Sequence, residues 1–154
     1  MTISADDFTM FCERTIDAMV GSVSVLDDEQ VNTRPDLDGA NSPFALVTHA
    51  LGAALFWTEH VVLGEPTHRD RASELEASGA TAELIATCHA AKARFAERAP
   101  ALALATSLQG EGVTRIPIAN EWTVGAALMH AYEELAQHLG HLEITVDLVG
   151  RPIS

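Results

Sequence analysis

Four long segments of the chain repeat their apolar side chains every three or four residues, and each begins at a helix-capping residue. Because an α-helix completes a turn in about 3.6 residues, this spacing places the apolar side chains on one helical face. The predicted helices cover about residues 5–25, 43–63, 81–100 and 123–148, and Pro100 is expected to end the third. Each helix has one apolar face to bury, so the sequence predicts an all-α fold, a four-helix bundle. The predicted caps are Ser4, Ser42, Thr81 and Thr123.

The segments between these helices are polar and rich in glycine and proline, which is typical of connections. The first and third connections are long enough to cross the bundle, so the helices need not simply alternate up and down. Residues 113–118 can form a short extended segment, although Pro117 limits any role in a sheet. A chain of 154 residues is expected to form one domain, residues 1–154. The connections are residues 27–40, 65–79 and 101–121.

The charge of the chain excludes several classes of partner. With 22 acidic and 9 basic side chains, the formal net charge is −13. Such a chain repels phosphate backbones and anionic lipid, so neither nucleic acid nor a membrane is an expected partner. No basic leader and no long apolar run is found, which predicts a cytoplasmic protein. Cys12 and Cys88 lie far apart on apolar faces, so we expect two reduced, buried cysteines.

Three of the seven histidines lie on the fourth predicted helix. On a helical wheel, His138 is about 50° from the centre of the apolar face and Glu134 about 90° from it. The two residues are four apart and therefore neighbours, and a carboxylate and an imidazole pointing into a bundle are suitable metal ligands. His141 and His130 lie about 110° and 130° from the centre, which predicts positions closer to solvent.

His49 is a third candidate ligand, on the inner face of the second predicted helix. The small residues Gly52 and Ala53 follow it and leave room beside an inward imidazole. A buried imidazole needs a partner for each nitrogen, and a metal and a backbone carbonyl can supply them. His49, Glu134 and His138 therefore form a candidate metal site.

The same pattern is compatible with purely structural roles. His49 can be a hydrogen-bonded core residue, and Glu134 can pair with His138 or face solvent as a helix charge. The two small residues after His49 can serve only to bring helices close together. His60, His68 and His89 are expected on the surface.

Two segments carry a resemblance to a known superfamily, NSPFALVTHALGAALFWTEHVVLGE and EWTVGAALMHAYEELAQHLGHLEITVDLVG. The shared features are an Asn-Ser helix start, a Val-Thr-His sequence, a following tryptophan, and a last helix with Glu-x3-His-x-Gly-His. In their order and spacing these features resemble the DinB/YfiT-like superfamily. The similarity is closest to the branch of mycothiol-dependent maleylpyruvate isomerases and mycothiol S-transferases.

The resemblance implies a DinB/YfiT-type bundle with long crossover connections and one divalent metal held by three side chains. By position these are His49, Glu134 and His138, while His141 stands where many relatives have glutamine and is left out. Two histidines, one carboxylate and open positions suit catalytic zinc, and nickel, manganese or iron can occupy such a site. Mycothiol is then the expected cosubstrate.

The implied activity is that of a metal-dependent thiol S-transferase or isomerase, which activates a thiol for attack on a small electrophile. One alternative is a non-catalytic metal-binding protein of the same fold. Another is a metal-dependent hydrolase, for which His141 or Glu133 is the available base. Maleylpyruvate isomerases carry a further C-terminal α/β domain, whereas this sequence ends at Ser154, so a single-domain transferase is expected. A homodimer is compatible with the sequence.

Five further residues are candidates for contact with the substrate or with the metal ligands. His141 and His130 lie near the predicted ligands on the fourth helix. Asn41, Trp57 and Arg71 can supply polar or aromatic contacts, and the guanidinium of Arg71 can bind a carboxylate through two hydrogen bonds. The alternative for each is a role in packing or on the surface.

Overall fold

Three of the four long helices start at their predicted caps. In the computed structural model, which describes residues 3–110 and 122–150, no strand occurs in either range. Side-chain oxygens of Ser4, Ser42 and Thr123 accept hydrogen bonds from the backbone N–H three residues later. The all-α prediction is confirmed. The helices are α1 (Ala5–Val23), α2 (Pro43–Leu55), α3 (Arg71–Leu75), α4 (Thr81–Leu104) and α5 (Val124–Val149).

The four long helices pack so that chain neighbours are not always spatial neighbours. Both α1 and α2 pack against α4 and against α5. Therefore α1 lies diagonally across from α2, and α4 lies diagonally across from α5. The connection between α1 and α2 thus crosses the end of the bundle, which its length allows and the family resemblance implies. The connection between α4 and α5 also joins diagonal helices, and its residues 111–121, with the predicted extended segment 113–118, lie outside the described residues.

The core fills the space between these helices. Cys12 and Cys88 are fully buried and unpaired, as predicted. Burial raises the pKa of Cys12 to about 12 and that of Cys88 to about 11, so both stay protonated and unreactive. The largest fully buried side chains are Phe95, Ile16, Met19, Leu46, Leu84, Leu135, Leu142, Val23, Val31, Val47, Val61 and Val62.

The second predicted helix continues to its expected end but changes its winding. After α2 the chain forms a π-helix, Phe56–Val62, in which the N–H of Leu63 bonds the carbonyl of Thr58, five residues back. The turn ends at Gly64, whose φ of 73° favours glycine. Such wide turns occur often at functional sites.

Two boundaries of the third long helix differ from prediction. Pro100 does not end α4 but lies inside it, where its missing N–H costs one hydrogen bond near the C-terminus. Thr81 is not the cap. Ala80 takes that position, its N–H bonded to Glu83 at 3.1 Å, while the N–H of Thr81 bonds Asp28 at 2.8 Å.

Both of the shorter predicted connections contain a helical turn that the sequence does not predict. A 3₁₀ turn, Gln30–Asn32, lies between α1 and α2. The five-residue helix α3 lies between the π-helix and α4, and Asp70 caps it by accepting from the N–H of Ala72 at 3.0 Å. Because α3 packs on α2, its charged side chains lie close to that helix.

Candidate metal centre

His49 lies on α2 and is buried, with 7% of its side chain exposed. Its Nδ1 is 2.8 Å from Oε2 of Glu74. A carboxylate can only accept a hydrogen bond, so Nδ1 carries the proton and Nε2 keeps its lone pair. That lone pair is the one a divalent cation binds.

Glu134 and His138 lie one turn apart on α5 and are partly buried. Oε2 of Glu134 is 3.6 Å from Nε2 of His138. The His138 ring stands edge-on to the ring of His49, with the centroids 5.0 Å apart and an interplanar angle of 85°. Contact between α2 and α5 thus brings the three candidate ligands to one point.

These three side chains fit a divalent cation. One potential ligand atom from each lies within 4.8 Å of the other two, in a mixed set of two imidazoles and one carboxylate. Zinc bound by nitrogen and oxygen sits about 2.0–2.2 Å from each ligand, so small side-chain rotations are sufficient to reach one ion. Three protein ligands leave a position open for another molecule.

The local electrostatics favour the metal-binding protonation states of two candidate ligands, His49 and Glu134. Burial lowers the pKa of His49, with a smaller contribution in the same direction from His138, and this outweighs the opposing effect of Glu74. The imidazole of His138, 3.6 Å from the carboxylate, lowers the pKa of the Glu134 carboxyl, aided by the charge of His130. A neutral imidazole and an ionised carboxylate are the forms that coordinate.

Glu74 holds the outer nitrogen of His49, where the sequence led us to expect a backbone carbonyl. That expectation is wrong. The carboxylate of Glu74 also accepts two hydrogen bonds from Arg69, from Nε to Oε1 at 2.7 Å and from Nη2 to Oε2 at 2.9 Å. The bidentate ion pair fixes the carboxylate, and the carboxylate in turn fixes the tautomer and the orientation of His49.

Gly52 leaves room for this carboxylate. A Cβ atom at this position would collide with Oε1 of Glu74. The small residue after His49 therefore serves the partner of the imidazole, and not the imidazole itself as the sequence suggested. Glu74 and Arg69 are missed by sequence reasoning, because their segment has no periodicity. The one available signal is that a buried His49 needs a second partner.

His130 supports Glu134 from the side opposite His138. Its Nε2 is 3.4 Å from Oε1 of Glu134. The ring lies edge-on against a stacked pair of indoles, Trp57 and Trp122, at centroid distances of 4.7 and 5.2 Å. The prediction that His130 lies toward solvent is wrong, since only 21% of its side chain is exposed. The aromatic pair shields it.

A small cavity of about 270 Å³ opens at the three candidate ligands. Asn41, Arg71 and His141 line it, so three of the five further candidates lie beside the ligands. Trp57 and His130 belong to the packing behind Glu134 instead. The complete lining is Asn41, Leu46, His49, Ala53, Arg69, Arg71, Leu75, Glu134, His138 and His141.

The remaining histidines and Glu133 lie away from this cavity. Glu133 is bonded to Nδ1 of His130 at 2.9 Å and to the amide of Gln137 at 2.9 Å. His60 is half-buried against Phe56, with Nδ1 bonded to the carbonyl of Glu65 at 2.7 Å, so the prediction of a surface position is wrong for this residue. The other two, His68 and His89, are exposed as predicted.

Comparison with known proteins gives one family. A model of the family described as mycothiol-S-transferase matches residues 7–148. No curated protein and no solved structure gives a significant match. The matched residues include all three candidate ligands and both supporting residues, Arg69 and Glu74.

Proposed function

Because the chain belongs to the mycothiol S-transferase family, we propose that it is a metal-dependent transferase that joins the sulfur of mycothiol to a small electrophile. The observation that carries the metal dependence is the convergence of His49, Glu134 and His138 at the cavity. The family match supports the thiol and the transfer. We further propose that the metal is zinc, because the ligand set is two imidazoles and one carboxylate.

The metal would supply positive charge that lowers the pKa of a bound thiol and holds it as the thiolate. The chain's own residues prepare this site. His49 presents Nε2 because Glu74 holds the proton on Nδ1. Glu134 contributes one negative charge, and its position is set by His138 and His130.

The proposed transfer needs no further co-reactant. In a displacement, the sulfur–carbon bond forms as the bond from carbon to the leaving group breaks, and the thiol proton goes to solvent. In an addition to a polarised double bond, sulfur bonds one carbon and the other carbon takes up the proton. No oxidation or reduction occurs in either case.

The nucleophilic sulfur comes from the cosubstrate in this proposal. Cys12 and Cys88 lie in the core, and burial raises the pKa of both thiols. A protonated, enclosed thiol is a poor nucleophile. The small cavity at the ligands instead has room for a reacting group from outside.

The test is metal content together with thiol conjugation. Untagged protein, loaded with zinc and dialysed, is expected to keep about one ion per chain by elemental analysis and to conjugate mycothiol to monochlorobimane. His49→Ala is expected to lose both properties. His89→Ala is the matched control, since His89 is exposed on α4. The proposal fails if the parent takes up no metal, or if His49→Ala conjugates as fast as the parent.

Hydrolysis is the second candidate, favoured by the position of His141 in the cavity lining. A metal at the three proposed ligands would supply a water of lowered pKa, and the imidazole of His141 would be the group that accepts its proton. Glu133, the other predicted base, lies outside that lining and is bonded to His130. Ester or amide hydrolysis in the absence of any thiol, lost in His141→Ala, would favour this function over transfer.

Several predictions from the sequence are not tested by these observations. The single domain over residues 1–154, the cytoplasmic location and the homodimer stay predictions. Among residues 3–110 and 122–150, no helix has both the length and the apolar character that a bilayer span requires.

A further inference from the structure

Arg71 is an unusual cation in this protein. Residues 3–110 and 122–150 contain seven Lys and Arg side chains, and five of them form ion pairs with carboxylates. Arg14 lies over the ring of Phe11. Arg71 has no ion pair or hydrogen bond within the described part of the chain, although the sequence has 22 acidic residues. The five paired cations are Arg34, Arg69, Lys92, Arg94 and Arg98.

The unpaired guanidinium lies at the cavity that holds the candidate ligands. Arg71 is the first residue of α3, and it lines the cavity together with Asn41. Arg69, the other arginine of the lining, is neutralised by its bidentate pair with Glu74. Arg71 is therefore the one lining cation among the described residues whose charge is not balanced by the protein.

The charge of the loaded site points to one missing anion. A divalent cation held by the three proposed ligands would be balanced by Glu134 and by one thiolate. The guanidinium of Arg71, which is exposed at the cavity lining, would then add one positive charge that no protein group balances. A monoanionic group on the second substrate would neutralise it, whereas a dianionic phosphate would leave an excess negative charge.

We propose that Arg71 and Asn41 form a subsite for a carboxylate group on the electrophile. The guanidinium can bind both carboxylate oxygens through parallel N–H donors, and the Asn41 amide offers a further donor. The volume, about 270 Å³, is near the lower end of ligand cavities, about 300 Å³, so the acid is small. This inference rests on the proposed function for the thiolate and the metal charge.

The kinetic test uses iodoacetate and iodoacetamide, which share a leaving group and differ in charge. With mycothiol and zinc-loaded protein, and with the uncatalysed rate subtracted, Arg71→Gln is expected to lower kcat/KM for iodoacetate at least about ten-fold. The change for iodoacetamide is expected to stay below about two-fold. Arg71→Lys keeps the charge but not the paired donors, so its kcat/KM for iodoacetate is expected to lie between those of the parent and Arg71→Gln. Arg14→Gln is the control.

A binding test separates this inference from the proposed function. Crotonate and crotonamide are titrated into zinc-loaded protein, and the Nε–H resonance of Arg71 is followed by NMR. Crotonate alone is expected to give a saturable shift. In calorimetric titrations of parent and variant, Arg71→Gln is expected to bind crotonate at least about ten-fold more weakly. If crotonate binds in this way but the protein conjugates no mycothiol, the proposed function is overturned and the carboxylate subsite still stands.

Two results would overturn the subsite itself. One is equal binding of crotonate and crotonamide to the parent protein. The other is an Arg71→Gln variant that retains the parent's affinity for crotonate, which would mean that the carboxylate binds elsewhere, for example at the metal. Conjugation of iodoacetamide by that same variant would show that the transferase itself is intact.

Discussion

The candidate metal centre is assembled from two kinds of structure. The three proposed ligands come from α2 and α5, long helices whose faces are set by a regular period. The support for His49 comes from the connection after the π-helix, where Arg69 and Glu74 lie on or beside the five-residue α3. The comparison shows that one site can depend equally on a regular scaffold and on an irregular segment packed against it.

The irregular segment is held in place by contacts with another connection. The amide of Asn32 bonds the carbonyl of Gly79 at 2.8 Å, and Arg34 bonds Glu76 and the carbonyl of Leu75. Both residues belong to the connection between α1 and α2. The position of Glu74 therefore depends on two crossing segments as well as on the helices they join.

Removing a ligand from the regular part is expected to have the largest effect. His138→Ala deletes one of the three proposed ligands and should weaken zinc binding by more than about a hundred-fold, beyond the losses caused by supporting residues. Competition with a chromophoric chelator measures this. Circular dichroism should show a folded protein, because His138 is only partly buried. A variant that keeps the parent's zinc affinity would exclude His138 as a ligand.

Neutralising Glu74, the carboxylate that holds His49, is expected to have the next largest effect. Glu74→Gln keeps an acceptor for Nδ1 of His49 but loses the charge and the ion pair with Arg69. Zinc affinity should fall about 10- to 100-fold, with the ligands still present. Glu76→Gln is the matched control, since Glu76 is exposed and pairs with Arg34 on the surface. Equal affinities for the two variants would assign Glu74 a structural role only.

Displacing the Glu74 carboxylate while keeping its charge is expected to weaken zinc binding less. The methyl group of Gly52→Ala would push Glu74 away from His49, and zinc affinity should fall about ten-fold. Alanine favours the helix by about 1 kcal/mol, which offsets part of the strain. Gly21→Ala on α1, where nothing lies within 4 Å of an added Cβ, should raise the free energy of unfolding and leave zinc affinity unchanged. Equal zinc binding by both variants would contradict this interpretation.

The same comparison explains how far the sequence predicts this protein. Helical period predicts the bundle and places Glu134 and His138 on one face, because side-chain direction in a helix follows from position alone. It does not predict Glu74, whose direction depends on how a polar connection packs against α2. It also misplaces His130, which is covered by two stacked indoles, Trp57 on the π-helix and Trp122 from a segment far along the chain. Neither the direction of Glu74 nor the burial of His130 produces a periodic pattern in the sequence.

The smallest effect is expected from the exposed contacts of the irregular segment. Arg34→Ala removes the ion pair with Glu76, in which the two side chains are 46% and 75% exposed, and the bond to the carbonyl of Leu75. Exposed pairs contribute about 0.2–1 kcal/mol, so the free energy of unfolding in urea should fall by no more than about 1 kcal/mol. Zinc affinity should change less than about two-fold, because Arg69 still holds Glu74 through two partly buried hydrogen bonds. If Arg34→Ala instead weakens zinc binding as strongly as Glu74→Gln, the connection is positioned mainly from its outer surface, and the ion pair with Arg69 is insufficient to hold the carboxylate.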